Sequence, residues 1–197
     1  MGARVSTPAD LDAIVDVLTT AFLDDPLWGP AFPDRRARPR QAAALWRLLA
    51  RSAQRYDWLW VTDDVAAAAV WIPPGGVELT PDEQDGLEAY LADAAGPDVA
   101  AELLAIFDAF EHAHPSDPHF YLSLLGTHAN HRGHGHGTAL LKHGLALVDE
   151  QRMPVHLESC NPVNDALYRR YGFEPSGEFV VPSGHVVTTM WRSAATS

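Results

Sequence analysis

The spacing of apolar residues changes several times along the chain, and these changes predict a fold that mixes helices with strands. A short strand over Arg4–Ser6 is followed by apolar positions at helical spacing from Leu11 to Phe22, which come after a Thr7-Pro8 start signal. A second helix is predicted over Ala37–Arg55. The chain therefore begins with a strand and two helices.

Two apolar runs in the middle of the chain predict a β-hairpin. Trp58–Val61 and Val65–Ile72 flank the polar turn Thr62-Asp63-Asp64, and the prolines of Pro73–Gly76 end the second strand because they cannot donate hydrogen bonds. The capping pattern Thr80-Pro81-Asp82-Glu83 predicts a third helix, and a further helix follows Gly96-Pro97. The N-terminal half is thus predicted as β-α-α-β-β-α-α.

The C-terminal half predicts further strands that alternate with helices. The predicted elements are a strand over Phe120–Leu125, a helix over Thr138–Glu150, a strand over Val155–Ser159, a short helix over Asn164–Tyr171 and two strands within Phe173–Arg192. Neither a repeat nor a low-complexity stretch interrupts the sequence. We therefore expect one domain over residues 1–197, of mixed α/β class.

Charge and composition exclude several classes of function. The net charge of −12 disfavours nucleic-acid binding, and the short basic run Arg35, Arg36, Arg38 and Arg40 is expected to lie on the surface. The longest apolar stretch, Val65–Ile72, is too short to span a membrane, and Pro8 and Asp10 disfavour a signal peptide. A single cysteine, Cys160, fits a reducing compartment. We expect a cytoplasmic protein with no membrane partner.

A glycine-rich segment between a strand and a helix carries the candidate chemistry. Arg132-Gly133-His134-Gly135-His136-Gly137 lies where unpaired amides and the helix dipole can hold a pyrophosphate. It does not match the dinucleotide-binding GxGxxG pattern or a P-loop, since the third glycine and the Lys-Ser/Thr pair are missing. The pattern that remains is R-x-x-G-x-G.

This segment resembles the acetyl-CoA loop of the GNAT superfamily of N-acetyltransferases, and a second motif agrees. Asn161 to Phe173 is similar to the superfamily's asparagine turn, tyrosine-bearing helix and Gly-Phe pair. Within the superfamily, the order and spacing resemble the group of puromycin N-acetyltransferase and its relatives. The resemblance covers most of the chain and is strongest from Phe120 onward.

The resemblance implies a twisted, splayed mixed sheet of about six or seven strands flanked by helices, with acetyl-CoA as acetyl donor. The pantetheine arm would lie between the strand that ends near Thr127 and the strand Val155–Ser159. The implied donor-binding residues are Leu125, Gly126 and Thr127 through their backbone, Arg132, Gly133, His134, Gly135, His136, Gly137 and Thr138 at the pyrophosphate, and Asn164 or, second, Asn161 at the pantetheine. Many members form dimers, so a homodimer is one expected state.

Two side chains are the candidates for catalysis of direct acetyl transfer to an amine. Tyr168 matches the tyrosine that relatives place at the departing CoA thiolate, and a phenol of pKa about 10 can donate a hydrogen bond to it at neutral pH. Glu158 is the candidate base for the ammonium form of the acceptor, because partial burial at a strand end would raise its pKa toward neutrality. His119 and His128 are weaker alternatives to Glu158.

Other reactive side chains are expected to have no role in the chemistry. His128, His131, His134, His136 and His143 are loosely spaced and lack a completing ligand, so no metal site is expected. Cys160 is expected to be a buried thiol and not a nucleophile, because relatives transfer the acetyl group directly.

The acceptor is expected to be a cationic small-molecule amine, either antibiotic-like or a metabolite, because the protein is acidic. Aromatic residues that either wall its pocket or pack in the core are Trp58, Trp60, Trp71, Phe107 and Phe110. A protein or peptide acceptor, and a non-catalytic acetyl-CoA sensor, are the alternative interpretations.

Overall fold

One seven-stranded sheet with eight α-helices around it organises the computed structural model, which describes residues 2–195. The strands are β1 (Ala3–Val5), β2 (Leu59–Thr62), β3 (Ala67–Ile72), β4 (Phe120–Thr127), β5 (Val155–Ser159), β6 (Glu174–Val180) and β7 (Val186–Arg192). The helices are α1 (Leu11–Phe22), α2 (Trp28–Ala31), α3 (Arg38–Ala53), α4 (Pro81–Asp85), α5 (Leu87–Ala95), α6 (Pro97–Ala113), α7 (His136–Glu150) and α8 (Asp165–Arg170). Between residues 2 and 195, no helix has the length and apolar character needed to cross a membrane.

The strands lie in the order β1-β2-β3-β4-β5-β7-β6, and only the β4–β5 neighbours are parallel. Strand β3 is fully buried because both of its faces are covered. Its residues Ala67, Ala69 and Trp71 pack toward α7, whereas the alternate residues belong to the core formed with α1 and α3. This two-sided burial explains why β3 is a continuous apolar run and not an alternating one.

The two parallel strands separate soon after they begin to pair. β4 and β5 are joined only at the pairs Phe120–Val155 and Tyr121–His156, and the remainder of β4 has no strand on that side. On its other side the register of β4 against β3 shifts between Leu122 and Leu124, so that Ser123 forms a bulge. The sheet therefore opens at its centre, beside a bulge that redirects side chains.

The predicted fold class is confirmed, with seven strands, and the differences lie in individual elements. Helix α2 was not predicted, and the predicted third helix is divided at Gly86 into α4 and α5. Strand β3 begins at Ala67 and not Val65, because Val65 has a φ of 51° and belongs to the turn. Helix α7 begins at His136, earlier than predicted, directly behind the glycine loop.

Candidate active site

A cavity of about 910 Å³ occupies the space where β4 and β5 separate. Its wall brings together carboxylates, imidazoles, aromatic rings and the predicted catalytic pair: Asp25, Glu78, Glu158, His114, His119, Phe22, Trp28, Phe107, Phe110, Leu125, Cys160, Asn161, Asn164 and Tyr168. The sequence-based candidates Glu158 and Tyr168 therefore face the same space. The mixture of apolar surface and a few convergent polar groups is typical of a small-molecule site.

Glu158 lies at the centre of a buried polar cluster. Its side chain is 2 % exposed, and its Oε1 lies 2.8 Å from Nε2 of the fully buried His156 and 3.7 Å from Nδ1 of His114. The His114 ring also stands edge-on to Tyr121 of β4, with 4.8 Å between the ring centroids. Sequence reasoning missed His114, His156 and Tyr121. Alternation along β5 places His156 on the same face as Glu158, which is a signal that the sequence did contain.

The pKa of Glu158 differs in direction from the prediction. Burial acts to raise the pKa of this carboxyl, but its polar contacts with His114, His156 and Tyr121, together with the charge of His156, outweigh burial and lower the pKa below its ordinary value. The prediction of a raised pKa was wrong because these three neighbours were not anticipated. The carboxylate is therefore ionised at neutral pH.

Tyr168 is held in the wall by its position in α8. The side chain is 9 % exposed and packs edge-on against the buried Phe173, with 6.0 Å between the ring centroids. Burial raises the pKa of its phenol well above the ordinary value, and the nearby Cys160 and Asp165 act in the same direction. The phenol stays protonated at neutral pH, and it is a weaker acid than the sequence-based estimate assumed. It is suited to donate a hydrogen bond rather than to give up its proton early.

The glycine loop leads directly into α7 and leaves its first amides exposed. The first hydrogen bond of this helix joins Ala139 N–H to the Gly135 carbonyl at 2.9 Å, so the amides before Ala139 have no helical partner. Gly135 has a φ of 80°, and a Cβ placed there would meet nothing within 4 Å. At Gly137, by contrast, a Cβ would lie 2.9 Å from Oγ1 of Thr127. Open space, free amides and the dipole of a long helix fit a pyrophosphate.

Two side chains of this loop point away from the predicted phosphate site. The guanidinium of Arg132 donates to the carbonyls of Ala21 and Thr20 at 2.8 and 3.3 Å, and thereby ties the loop to the end of α1. The imidazole of His136 is 7 % exposed and lies in the protein interior. Its side chain is buried because the first turn of α7 packs against the sheet, so the imidazole of His136 is not free to reach a phosphate in solvent. His134, by contrast, is exposed.

The asparagines and the end of β4 border the opening between the strands. Oδ1 of Asn161 accepts the Val163 N–H at 3.2 Å and so caps the short helix Pro162–Asn164. Asn164 lines the cavity and is exposed, which leaves its amide available. A Cβ on Gly126 would lie 3.1 Å from Leu18 of α1, so this glycine allows helix and strand to pack closely.

Only part of the aromatic set reaches the cavity. Phe107 and Phe110 line it, together with Phe22 and Trp28, which the sequence did not single out. The three hairpin tryptophans lie in the other layer: Trp71 is fully buried under α7, Trp58 packs on Phe120 with centroids 4.4 Å apart, and Trp60 packs on His143 at 4.3 Å. Trp71 is therefore a core residue, and Trp58 and Trp60 are partly buried against the same core layer.

Two acidic side chains of the wall were also missed. Glu78, in the loop after β3, accepts a hydrogen bond from the hydroxyl of the bulge residue Ser123, and burial together with the charge of Glu158 raises its pKa. Asp25 is 9 % exposed and accepts the amides of Leu27 and Trp28 at 3.0 and 3.2 Å. Both lie outside recognisable motifs, so the sequence held no signal for them.

The structure also places the candidate metal ligands, the cysteine thiol and the alternative histidine bases. Within residues 2–195, the grouping with ligand spacing is His114, His156 and Glu158, whose ligand atoms lie within 4.8 Å of one another. Burial raises the pKa of the Cys160 thiol well above its ordinary value, which disfavours a thiolate nucleophile. His128 pairs with Asp16 at 3.2 Å, outside the cavity wall. Among the histidine alternatives for a base, only His119 lines the cavity, and burial lowers its pKa.

Comparison with known proteins adds family evidence to this geometry. Residues 88–175 match the family model of the acetyltransferase (GNAT) domain, and this range contains the glycine loop, Glu158 and Tyr168. A Corynebacterium glutamicum structure named as histone acetyltransferase HPA2 and related acetyltransferase is 27 % identical, with a TM-score of 0.74 over 99 % of this chain and 97 % of that one.

Two insect enzymes share the fold at lower identity. The Drosophila melanogaster polyamine N-acetyltransferase is 16 % identical with a TM-score of 0.68, over 98 % of this chain and 99 % of that one. The Aedes aegypti arylalkylamine N-acetyltransferase 2 is 16 % identical with a TM-score of 0.67, over 98 % of both chains. On these findings residues 88–175 match a GNAT acetyltransferase domain, and the whole chain shares its fold with N-acetyltransferases.

Proposed function

We propose that the protein transfers an acetyl group from acetyl-CoA directly to the amine of a small cationic molecule. The observation that carries the proposal is that Glu158 and Tyr168 line the same cavity, which lies beside the opening between β4 and β5. A base for the incoming amine and a donor for the departing sulfur are the two groups that direct aminolysis of a thioester requires.

The donor would be held by backbone groups at the open centre of the sheet. The unpaired edge of β4 at Leu125, Gly126 and Thr127 offers hydrogen bonds to the pantetheine amides, as a neighbouring strand would. The amides from Gly133 to Thr138 would bind the pyrophosphate, and the Arg132 side chain would hold that loop against α1. The free amide favours Asn164 over Asn161 at the pantetheine.

Glu158 would accept the proton that makes the acceptor nitrogen nucleophilic. An alkyl ammonium has a pKa of about 10, so nearly all of the acceptor arrives protonated at neutral pH. The ionised carboxylate takes one proton directly or through a water, and the freed lone pair forms the bond to the acetyl carbon. The thioester C–S bond breaks with its electrons going to sulfur, and the second amine proton leaves with the thiol. One proton therefore goes to solvent in each turnover.

Tyr168 would stabilise the departing sulfur. Its buried phenol keeps its proton, so it supplies a hydrogen bond to the thiolate as negative charge develops there. The enzyme itself forms no covalent intermediate in this scheme, consistent with the raised pKa of the Cys160 thiol.

The wall of the cavity supports an acceptor that is both cationic and partly apolar. Glu158 and the exposed Glu111 supply negative charge, whereas Trp28, Phe107 and Phe110 supply apolar surface. A cavity of about 910 Å³ has the size of a small-molecule site. Relatives of the fold are named for polyamine and arylalkylamine acceptors, and the sequence resembles the puromycin N-acetyltransferase group, which fits the same class.

A protein or peptide acceptor is the second candidate, because the Corynebacterium glutamicum structure is named as a histone acetyltransferase and related acetyltransferase. A non-catalytic acetyl-CoA sensor is disfavoured, since it would have no need for a buried base and a buried phenol in one wall.

Calorimetric titration of acetyl-CoA, followed by thiol-release assays with a panel of amines, tests the proposal. We expect micromolar-range binding and turnover with small cationic amines. Gly135→Asp should abolish binding through charge and bulk at the phosphate site. Gly184→Asp is the matched control: Gly184 has a φ of 84° and open space around it, but it lies in the β6–β7 turn.

Three results would contradict the proposal. These are absence of acetyl-CoA binding by the wild-type protein, equal loss of binding in both glycine variants, and turnover with peptides but with none of the small amines. The first would remove the donor, the second would indicate general backbone strain, and the third would favour the second candidate.

A further inference from the structure

We propose that His114, His156 and Glu158 bind one Zn²⁺ ion, and that this ion inhibits acetyl transfer by occupying the base. The binding site stands on the geometry of the three side chains, whereas the inhibition rests on the proposed function of Glu158. The trio contains none of the histidines from the region 128–143. The ion is an inhibitor in this proposal and not a cofactor of the transfer.

The three ligand atoms lie near the spacing that a tetrahedral zinc ion requires. Zinc binds nitrogen and oxygen at about 2.0 to 2.2 Å, so neighbouring ligand atoms in a tetrahedral site are about 3.3 to 3.5 Å apart. Oε1 of Glu158 is 2.8 Å from Nε2 of His156 and 3.7 Å from Nδ1 of His114, and all three atoms lie within 4.8 Å of one another. Rotation of His114, whose side chain is 35 % exposed, brings the atoms to this spacing.

The sheet and one loop hold these ligands in place. His156 and Glu158 are alternate residues of β5, so their side chains project from the same face of the sheet. His114 follows α6 and reaches Glu158 through tertiary packing. Two imidazoles and one carboxylate form a donor set that suits Zn²⁺ and Co²⁺, whereas Mg²⁺ and Ca²⁺ prefer oxygen ligands alone. The site is therefore expected to select transition metals.

Hydrogen bonds outside the trio orient His114 as they do in metal sites. Nδ1 of His119 lies 2.6 Å from the Asp117 carbonyl, which can only accept, so this nitrogen carries a proton. Nε2 of His119 can then accept the N–H on Nε2 of His114, which is 3.1 Å away. In the neutral ring, the lone pair of His114 Nδ1 is left on the side of the Glu158 carboxylate. A metal ion satisfies both of these acceptors at once, and the outer N–H bond is typical of a ligating histidine.

One buried nitrogen limits the affinity of the site. Among residues 2–195, Nδ1 of His156 has no hydrogen-bond partner. When Nε2 of His156 binds the ion, the proton of this ring lies on Nδ1 and stays unpaired, which costs free energy. The trio supplies three ligands, and the fourth position faces the cavity that His114 and Glu158 line. We therefore expect micromolar affinity, weaker than that of zinc sites with four protein ligands.

Metal binding would remove the function that we assign to Glu158. A carboxylate oxygen bound to Zn²⁺ no longer accepts a proton from the acceptor ammonium, and the charge of the ion repels a cationic amine. Metal and amine therefore compete for Glu158. The donor groups at β4 and the glycine loop are separate from the trio, so the affinity for acetyl-CoA should not change.

Calorimetric titration of ZnCl₂ into chelator-treated protein tests the site without reference to activity. We expect one ion per chain, no binding of Mg²⁺, and a loss of at least about 10-fold in affinity in His114→Ala and in Glu158→Gln. His112→Ala and His128→Ala are the matched controls and should bind zinc as the wild type does. His112 is exposed on α6, and His128 pairs with Asp16 outside the cavity wall, so these variants report zinc held by surface histidines. Urea unfolding checks that each variant is folded.

Initial rates of acetyl transfer test the inhibition. The acetylated amine is measured by chromatography, because the thiol of CoA itself binds zinc. At a zinc concentration ten times its Kd, we expect KM for the amine to rise about 10-fold and kcat to stay unchanged, as competition requires. A chelator should restore the original KM. The activity that remains in His114→Ala should be much less sensitive to zinc.

The outcomes separate the zinc site from the proposed function. Absence of zinc binding by the wild type, or equal affinity in His114→Ala and the wild type, overturns the site. Zinc that binds at the trio and leaves KM for the amine unchanged overturns the inhibition. Absence of acetyl transfer in metal-free buffer overturns the proposed function and the inhibition, and calorimetry then decides on the site alone.

Discussion

Replacing Tyr168 with phenylalanine removes one hydroxyl from the cavity wall and leaves the ring packed against Phe173. We expect kcat to fall by about 10²- to 10³-fold, because the developing thiolate loses a donor, with little change in the affinity for acetyl-CoA. Steady-state kinetics and calorimetry measure the two effects. Tyr171→Phe is the matched control, since Tyr171 lies outside the cavity wall. Unchanged turnover in Tyr168→Phe would show that the phenol has no catalytic role.

Replacing Glu158 with glutamine should make the rate depend more steeply on pH. The lowered pKa of Glu158 keeps the wild-type base ionised throughout the neutral range, so the enzyme can deprotonate a bound ammonium there. The variant can use only the acceptor molecules that are already neutral in solution, and the fraction of these rises with pH. We expect a loss of about 10²- to 10⁴-fold in kcat/KM at neutral pH that shrinks as the pH approaches the pKa of the acceptor.

Measurement of kcat/KM from pH 6 to about 10 tests this expectation, because the upper end of this range is the pKa of an alkylamine acceptor. Glu150→Gln, at the exposed end of α7, serves as the control. A loss in Glu158→Gln that is constant over this range would contradict a role in deprotonation.

The residue scale also shows what the sequence could predict about the site. Glu158 and Tyr168 lie in recognisable positions of a strand and a helix, and both face the cavity as expected. The pKa direction of Glu158 was predicted wrongly, because it depends on a histidine from another element. His114 comes to Glu158 only through the packing of the segment after α6 against β5, and local spacing carries no information about such a contact.

Helix α7 lies close against β3, and Gly144 is the residue that permits this approach. A Cβ built on Gly144 would lie 2.6 Å from Cε2 and Cζ2 of Trp71, which is fully buried. Helix propensity alone predicts that Gly144→Ala stabilises the protein by about 1 kcal/mol. Overpacking costs about 1 to 3 kcal/mol and offsets this gain, so we expect a net decrease in the free energy of unfolding of up to about 2 kcal/mol.

Urea unfolding measures this effect, and a reverse substitution provides the reference. Ala146→Gly changes an exposed position of the same helix, and it should lower the free energy of unfolding by about 1 kcal/mol through propensity alone. A more stable Gly144→Ala variant would contradict the close contact between α7 and Trp71.

At the scale of elements, the sequence was informative where a pattern is local. The capping box at Thr80 and Glu83 is present in the structure, with the Glu83 carboxylate 3.0 Å from the Thr80 amide, and β5 has the predicted bounds. Helix α2 was missed because it is a single turn that Pro30 interrupts, and it is stabilised by tertiary burial of Trp28 rather than by periodicity. The inward tryptophans of the hairpin could not be assigned to a layer, since period-2 alternation does not say which face meets which helix.

At the scale of the whole molecule, the opening between β4 and β5 creates the site. A parallel pair that ended its ladder after Phe120 and Tyr121 would be costly in an ordinary sheet, because the remaining backbone groups of β4 would lack partners. Local sequence patterns predicted both strands but not their separation. That feature came from the resemblance to the superfamily.

The negative charge of the protein should make the affinity for a cationic acceptor depend on salt concentration. The net charge is −12, and Glu111 and Glu158 line the cavity, so a cationic amine is attracted over distances that salt screens. The screening length shortens from about 10 Å at 0.1 M salt to about 3 Å at 1 M. We therefore expect KM for a small cationic amine to rise with salt while kcat changes little, because the buried Glu158 is screened much less.

Glu111→Gln should reduce the salt dependence of KM, since Glu111 is an exposed member of the wall and has no assigned part in the chemistry. An aromatic amine that is neutral at the assay pH is the matched substrate control, and its KM should be nearly independent of salt. Equal salt responses of the charged and the neutral amine would contradict electrostatic attraction, and would assign selectivity to the aromatic wall of Trp28, Phe107 and Phe110.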